Sequence, residues 1–168
     1  IGNAVTYNQS SGVYTYQPRN INGNWTGSVS NGFSMALDKD RLWNLENNAS
    51  FNFNRNVDFV TLAGSADYQI SKVNNIYVTD GLKLTMQKNK FRAALLGNME
   101  WHNSVSLSNN FSTMNVFDFN YGMTATYVLP LNIGISTDLK MYSRRGYSES
   151  AANNNYLIWN MSLSRSFI

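Results

Sequence analysis

The sequence predicts an all-β fold: about seven long, antiparallel meander strands of the transmembrane β-barrel type, forming part of a larger barrel. Three observations predict it. Apolar and polar residues alternate in one unbroken register through each of several stretches. A period of two is the mark of a strand, because successive side chains point to opposite faces. The stretches are also long, at about 14 residues, where ordinary globular strands run to about 5 or 6. Finally, short and long connections alternate strictly along the chain. That is the habit of outer-membrane barrels, with short periplasmic turns and longer extracellular loops.

The 168 residues suffice for one domain, 1–168, with 1–23 as an extracellular loop or short hairpin and 24–167 as seven up-and-down strands. The first strand is Asn24 to Leu37, with Trp25, Val29, Phe33, Met35 and Leu37 on one face and Thr26, Ser28, Ser30 and Ser34 on the other. After the turn Asp38–Arg41, the second runs from Leu42 to Val57. Trp43, Leu45, Ala49, Phe51, Phe53 and Val57 oppose Asn44, Glu46, Asn48, Ser50, Asn52, Asn54 and Asn56. A long loop is expected from Asp58 to Val73.

The third strand, Asn74 to Gln87, sets Ile76, Val78, Leu82, Leu84 and Met86 against Tyr77, Thr79, Lys83 and Thr85. Asp80 falls on its apolar register, placed either above the hydrocarbon or beside a bulge at Gly81. The turn Lys88–Lys90 leads into the fourth strand, Phe91 to Val105. There Phe91, Ala93, Leu95, Met99 and Trp101 face out, and Arg92, Asn98, Glu100, His102 and Ser104 face in. A loop from Ser106 to Met114 precedes the fifth strand, Asn115 to Val128. Leu129-Pro130-Leu131 then ends the ladder, since proline has no N–H to donate. The sixth strand is Asn132 to Arg144, and the Gly-, Ser- and Asn-rich loop Arg145 to Asn155 follows. The last strand, Tyr156 to Phe167, turns Leu157, Trp159, Met161, Leu163 and Phe167 outward.

Composition fits a wall between lipid and water. Charged residues make up only 14% of the chain, against about 25% in soluble domains. Asn, Ser, Thr and Gly fill the gap and suit a wet interior. No run approaches the roughly 20 apolar residues of a membrane helix, and the mean hydropathy of −0.34 is what alternating strands produce. The absence of cysteine removes disulfides and thiolate metal sites. A net charge of +3 without a basic stripe or RNA-binding aromatic signature argues against nucleic acid. Ile1 begins without a signal peptide or initiator Met, so a mature piece or fragment of an exported protein is expected.

The candidate functional residues are inward charges: Glu46, Lys83, Arg92, Glu100, His102, Asp118, Asp138 and Lys140, with Arg144 beyond them. They can line a path, contact a plug, or simply be hydrated, since exposed ion pairs contribute little. Glu100 and His102 stand at i and i+2 on one face, but no second His or Cys completes a zinc set. No nucleophile–base triad, phosphate loop or paired catalytic carboxylates occurs, so neither enzyme nor cofactor is expected. Trp25, Trp43, Trp101, Tyr127 and Trp159 are read as interfacial aromatics near strand ends, with Phe91 and Phe167. Arg55 and Arg165 lie on the apolar register near strand ends, where they can snorkel to headgroups; for Arg55 those would be lipopolysaccharide phosphates. Loop residues Tyr68, Phe111 and Tyr147 are candidates for recognition.

Several phrases carry a resemblance. Pro18-Arg19-Asn20-Ile21-Asn22-Gly23-Asn24-Trp25, Tyr142-Ser143-Arg144-Arg145-Gly146-Tyr147 and Leu157-Ile158-Trp159-Asn160-Met161-Ser162-Leu163-Ser164-Arg165-Ser166-Phe167 resemble late segments of the TonB-dependent receptor-type outer-membrane barrels of Bacteroidetes. The resemblance implies a nutrient importer in the outer membrane of a Gram-negative bacterium. Its partners would be the lipid bilayer and lipopolysaccharide, a plug domain and the remaining barrel strands of the same protein, TonB and a surface lipoprotein. Two other architectures satisfy the same periodicity: a complete eight-stranded anchor or adhesin barrel, with its eighth strand in residues 1–20, and a soluble β-sandwich binding module.

Overall fold

The computed structural model describes residues 2–8, 10–61, 67–108 and 112–165. The chain is all-β and antiparallel. Its strands are β1 (Gly2–Asn8), β2 (Val13–Arg19), β3 (Trp25–Ala36), β4 (Trp43–Thr61), β5 (Tyr68–Lys88), β6 (Phe91–Ser106), β7 (Met114–Leu129), β8 (Ile133–Arg145) and β9 (Asn155–Arg165). Strands β3 to β9 form one sheet in which every strand neighbours the next in sequence, and β1 and β2 form a separate hairpin. No barrel closure is present among the described residues. The end strands are bare: β9 is exposed throughout, and β3 everywhere but at Gly27.

Two strands are longer than the alternation predicts. The expected loop from Asp58 to Val73 is mostly strand, because β4 reaches Thr61 and β5 begins at Tyr68. The apolar pattern fades there, but backbone pairing does not need apolar side chains. Pro18 lies within β2 opposite Asn3, where a two-stranded ribbon leaves an outer side that requires no donor. Phe111 and Phe167 lie outside the described residues. The tight turns are chemical stops. Arg41, Asn89, Leu131 and Asn132 take positive φ, and Asp38 accepts from the backbone N–H groups of Leu42 and Trp43, at 3.1 and 2.8 Å.

The residues divide into two compact units. The larger comprises 29–51, 78–101 and 116–168. Here register is unambiguous. Tyr121, Met123, Tyr127 and Leu129 stand opposite Met141, Leu139, Ile135 and Ile133, and Met141 and Leu139 in turn oppose Leu157 and Trp159. One face is therefore apolar, and its side chains are open: Leu95, Tyr121, Leu157 and Leu163 are all more than half exposed. The bulge proposed at Gly81 is absent. Glu46 contacts Lys83 and Ser50 contacts Thr79, so one step forward on β4 meets one step back on β5 on both sides of Gly81. Asp80 thus stays on the apolar register, between Val78 and Leu82. Asn47, on the same face, donates its amide to Asp80 Oδ1 at 2.7 Å and to the Gly81 carbonyl at 3.2 Å.

The smaller unit comprises 1–28, 52–77 and 102–115. The hairpin β1–β2 meets β4 here, where Thr61 Oγ1 donates to the Val5 carbonyl at 2.8 Å. The Asn24 side chain acts as a surrogate strand, receiving the Val57 N–H on Oδ1 and donating Nδ2 to the Val57 carbonyl. Trp25 stacks on Phe53 with ring centroids 4.3 Å apart.

Candidate functional site: the polar face

In the larger unit the polar face carries a straight row across all seven sheet strands: Gly32, Asn48, Gly81, Asn98, Asn120, Tyr142 and Tyr156. At two places the neighbouring amide lies over a glycine, in the space a side chain would take, and would have to move aside for one. A Cβ on Gly32 would lie 2.7 Å from Asn48 Oδ1, and one on Gly81 2.8 Å from Asn98 Oδ1. Asn98 Nδ2 donates to Asn120 Oδ1 at 3.1 Å. Asn120 opposes Tyr142, which opposes and stacks on Tyr156 at 5.0 Å. The row offers amide donors and acceptors and an aromatic platform, with no net charge.

Charges flank it. Lys83 Nζ lies 3.1 Å from Glu46 Oε2. Arg144 Nε lies 3.6 Å from Asp118 Oδ2. The Tyr147 hydroxyl donates to that same oxygen at 2.7 Å, and the Arg144 guanidinium covers the Tyr147 ring at 4.4 Å. Asn153 clasps Tyr147 from behind, accepting its N–H at 2.9 Å and donating to its carbonyl at 2.7 Å. The connection after β8 is therefore latched to the polar face. Glu46, Lys83, Glu100, Asp118 and Arg144 line one open cavity of about 610 Å³ together with the neutral row from Asn48 to Tyr156.

The other expected inward charges are spread out. Arg92 lies within Coulombic range of Glu46. Asp138 Oδ2 accepts from Asn160 at 3.3 Å. Lys140 lays its stem over Gly122, which has no room for a Cβ. His102 belongs to the smaller unit, where it stacks on Tyr77 at 4.0 Å, and its Nε2 meets no hydrogen-bond partner among the described residues. No group of three or more metal-ligating side chains occurs among the described residues. Among the described residues no helix is long and apolar enough to cross a membrane, which does not bear on crossing by strands.

Of the expected interfacial aromatics, Trp25 and Trp43 open β3 and β4, and Tyr127 stands near the end of β7. Trp159 lies four residues after the first residue of β9, opposite Leu139, and donates Nε1 to Thr137 Oγ1 at 2.9 Å. Trp101 lies five residues before the last residue of β6. The Asn–Tyr row and the Tyr147 latch went unnoticed in the sequence. Half of the row was recoverable: counting back from the three tight turns pairs 32 with 48, 81 with 98 and 120 with 142.

No protein-family model matches the chain, and comparisons with curated proteins and with solved structures return no match.

Proposed function

We propose that this chain is a segment of the wall of an outer-membrane transport barrel, of the TonB-dependent importer type. The observation that carries the reading is the separation of faces. Strands of 11 to 21 residues in nearest-neighbour order present one open apolar face and one polar, charge-bearing face. Water offers no reason to keep so many Leu, Met and aromatic side chains exposed on one side, whereas hydrocarbon does. Unpaired backbone at a sheet edge costs several kcal/mol in lipid. The bare edges at β3 and β9 therefore call for further strands of the same protein on both sides. Gly2–Asn8 and Val13–Arg19 do not supply an eighth strand of this sheet, because they pair with each other in a separate sheet; this favours the large barrel over the eight-stranded one. In this reading the polar face surrounds a plug and the substrate path, and coupling to TonB and a surface lipoprotein runs through parts outside this segment.

The chain contains no cysteine of its own, so single cysteines report each face. In native membranes, Asn98→Cys should react with a water-soluble maleimide once the pore is open. Leu95→Cys and Leu157→Cys should resist it, and a fluorophore there should be quenched by nitroxide lipids. Equal reaction of all three with the soluble reagent, in a protein that stays monodisperse without detergent, would replace the wall with a β-sandwich.

A further inference from the structure

The smaller unit holds a pocket on the face opposite Asn54, Asn75 and Ser104, where Asn75 Nδ2 donates to Asn54 Oδ1 at 2.9 Å and Ser104 Oγ to Asn75 Oδ1 at 2.7 Å. Along β4, alternate residues Phe53, Arg55, Val57 and Phe59 share one face, and Tyr68, Ile70, Lys72 and Asn74 of β5 share it with them, as the Arg55–Asn74 contact fixes (Nε to Oδ1, 2.9 Å). The apolar series gives way here to cations. The linker Asn20–Asn24 forms a second wall, fastened by the Asn24–Val57 bonds and by Gly23, whose φ of +104° suits glycine and whose missing side chain lets Val57 approach. Linker and strands enclose about 360 Å³ between Arg19, Val57, Phe59, Tyr68 and Lys72.

The chemistry of this pocket is one-sided. Among the described residues two cations line it and no carboxylate does. Arg19 is held in place: its guanidinium covers the Tyr68 ring at 5.2 Å, and Nη2 donates to Gln17 Oε1 at 3.2 Å. Tyr68 is itself fixed edge-on against Phe59 at 5.1 Å. A positioned guanidinium and an ammonium beside an apolar floor match a phosphate monoester joined to a hydrophobic body, since Arg and Lys bind phosphate through charge-assisted hydrogen bonds.

We infer that the Arg19–Lys72 pocket binds the phosphate of a membrane glycolipid, with Arg55 as an adjoining cation on the same face. The inference rests on the barrel reading, which turns this face toward the outer leaflet. A soluble phosphate would present the same group without the apolar body that Val57, Phe59 and Ile70 would meet.

Native mass spectrometry of the whole detergent-purified protein tests it with three probes: diphosphorylated lipid A, the same lipid dephosphorylated, and inorganic phosphate. Diphosphorylated lipid should be retained, and the Arg19→Ala/Lys72→Ala double variant should hold it at least about tenfold more weakly, as expected when two charge-assisted contacts go. Dephosphorylated lipid should bind parent and variant alike. Equal retention of the diphosphorylated lipid by parent and variant would overturn the site, and inorganic phosphate binding as tightly as the lipid would overturn the lipid source. Heat-modifiable gel migration and nitroxide quenching report the barrel independently. A protein that inserts normally but retains no phosphorylated lipid defeats this inference alone.

Discussion

Glu46 and Asn47 are neighbours on β4, and each reaches across to β5, yet they live by different rules. Glu46 meets Lys83 on the polar face, where the two side chains are 35% and 39% exposed. Asn47 meets Asp80 on the apolar face, between Leu45 and Ala49 on its own strand. An ion pair in contact with water is replaceable, because each charge is solvated without the other. In the proposed membrane setting a carboxylate among apolar side chains depends on its donor, because hydrocarbon does not solvate it. One pair of strands thus displays both conditions, one residue apart.

The sharpest way to break this contrast is to remove the donor. Asn47→Leu should lower stability to urea in phospholipid vesicles by about 1–3 kcal/mol, the cost of stranding a polar group. Asp80→Leu should do no such harm, since Asn47 keeps its bond to the Gly81 carbonyl, and the double Leu variant should recover the parent's stability. Equal losses in Asn47→Leu and Asp80→Leu would show that Asp80 meets water.

A smaller effect is expected at the loop latch. Tyr147→Phe removes the hydroxyl bond to Asp118 but keeps the ring under Arg144. Limited proteolysis between Gly146 and Asn154 should then quicken about two- to twelvefold, as loss of one hydrogen bond of about 0.5–1.5 kcal/mol implies. An unchanged rate would mean that Asn153 alone holds the loop. The smallest effect belongs to the wet pair: Lys83→Gln should leave the urea midpoint in place and, on the proposed barrel reading, alter only the ion selectivity of the open pore. A large drop in stability there would show that the polar face is dry at this level.

The strand cores were legible in the sequence because binary alternation and tight-turn chemistry agree. Phe91 to Trp101 and Tyr121 to Tyr127 show one face of apolar side chains, and the turns at Asp38–Arg41 and Lys88–Lys90 fix the hairpins around them. The far ends of β4 and β5 were not legible. Past Phe53 the apolar face is interrupted by Arg55 and Lys72, so Phe59, Tyr68 and Ile70 no longer join an unbroken apolar series, although Arg55 to Thr61 and Tyr68 to Val73 keep the ladder. The site was legible residue by residue but not as an arrangement. That Glu46, Lys83 and Asp118 share one face followed from parity. That Tyr147 returns to Asp118 depends on how a long connection folds, and no periodicity encodes it. Asp80 shows the converse: parity placed it correctly, and only the structure supplied Asn47.

Because strand order in the sheet equals strand order in the chain, every pairing joins segments separated by a single connection. Loop-closure entropy is then small at each step, and no strand must wait for a distant one before it can pair. The three tight-turn hairpins, β3–β4, β5–β6 and β7–β8, can each form in the right register alone and be added in the order of synthesis. Such a sheet can be assembled in hairpin-sized instalments, with the growing edge always at the newest strand, and under the proposed reading it would enter the membrane in that order.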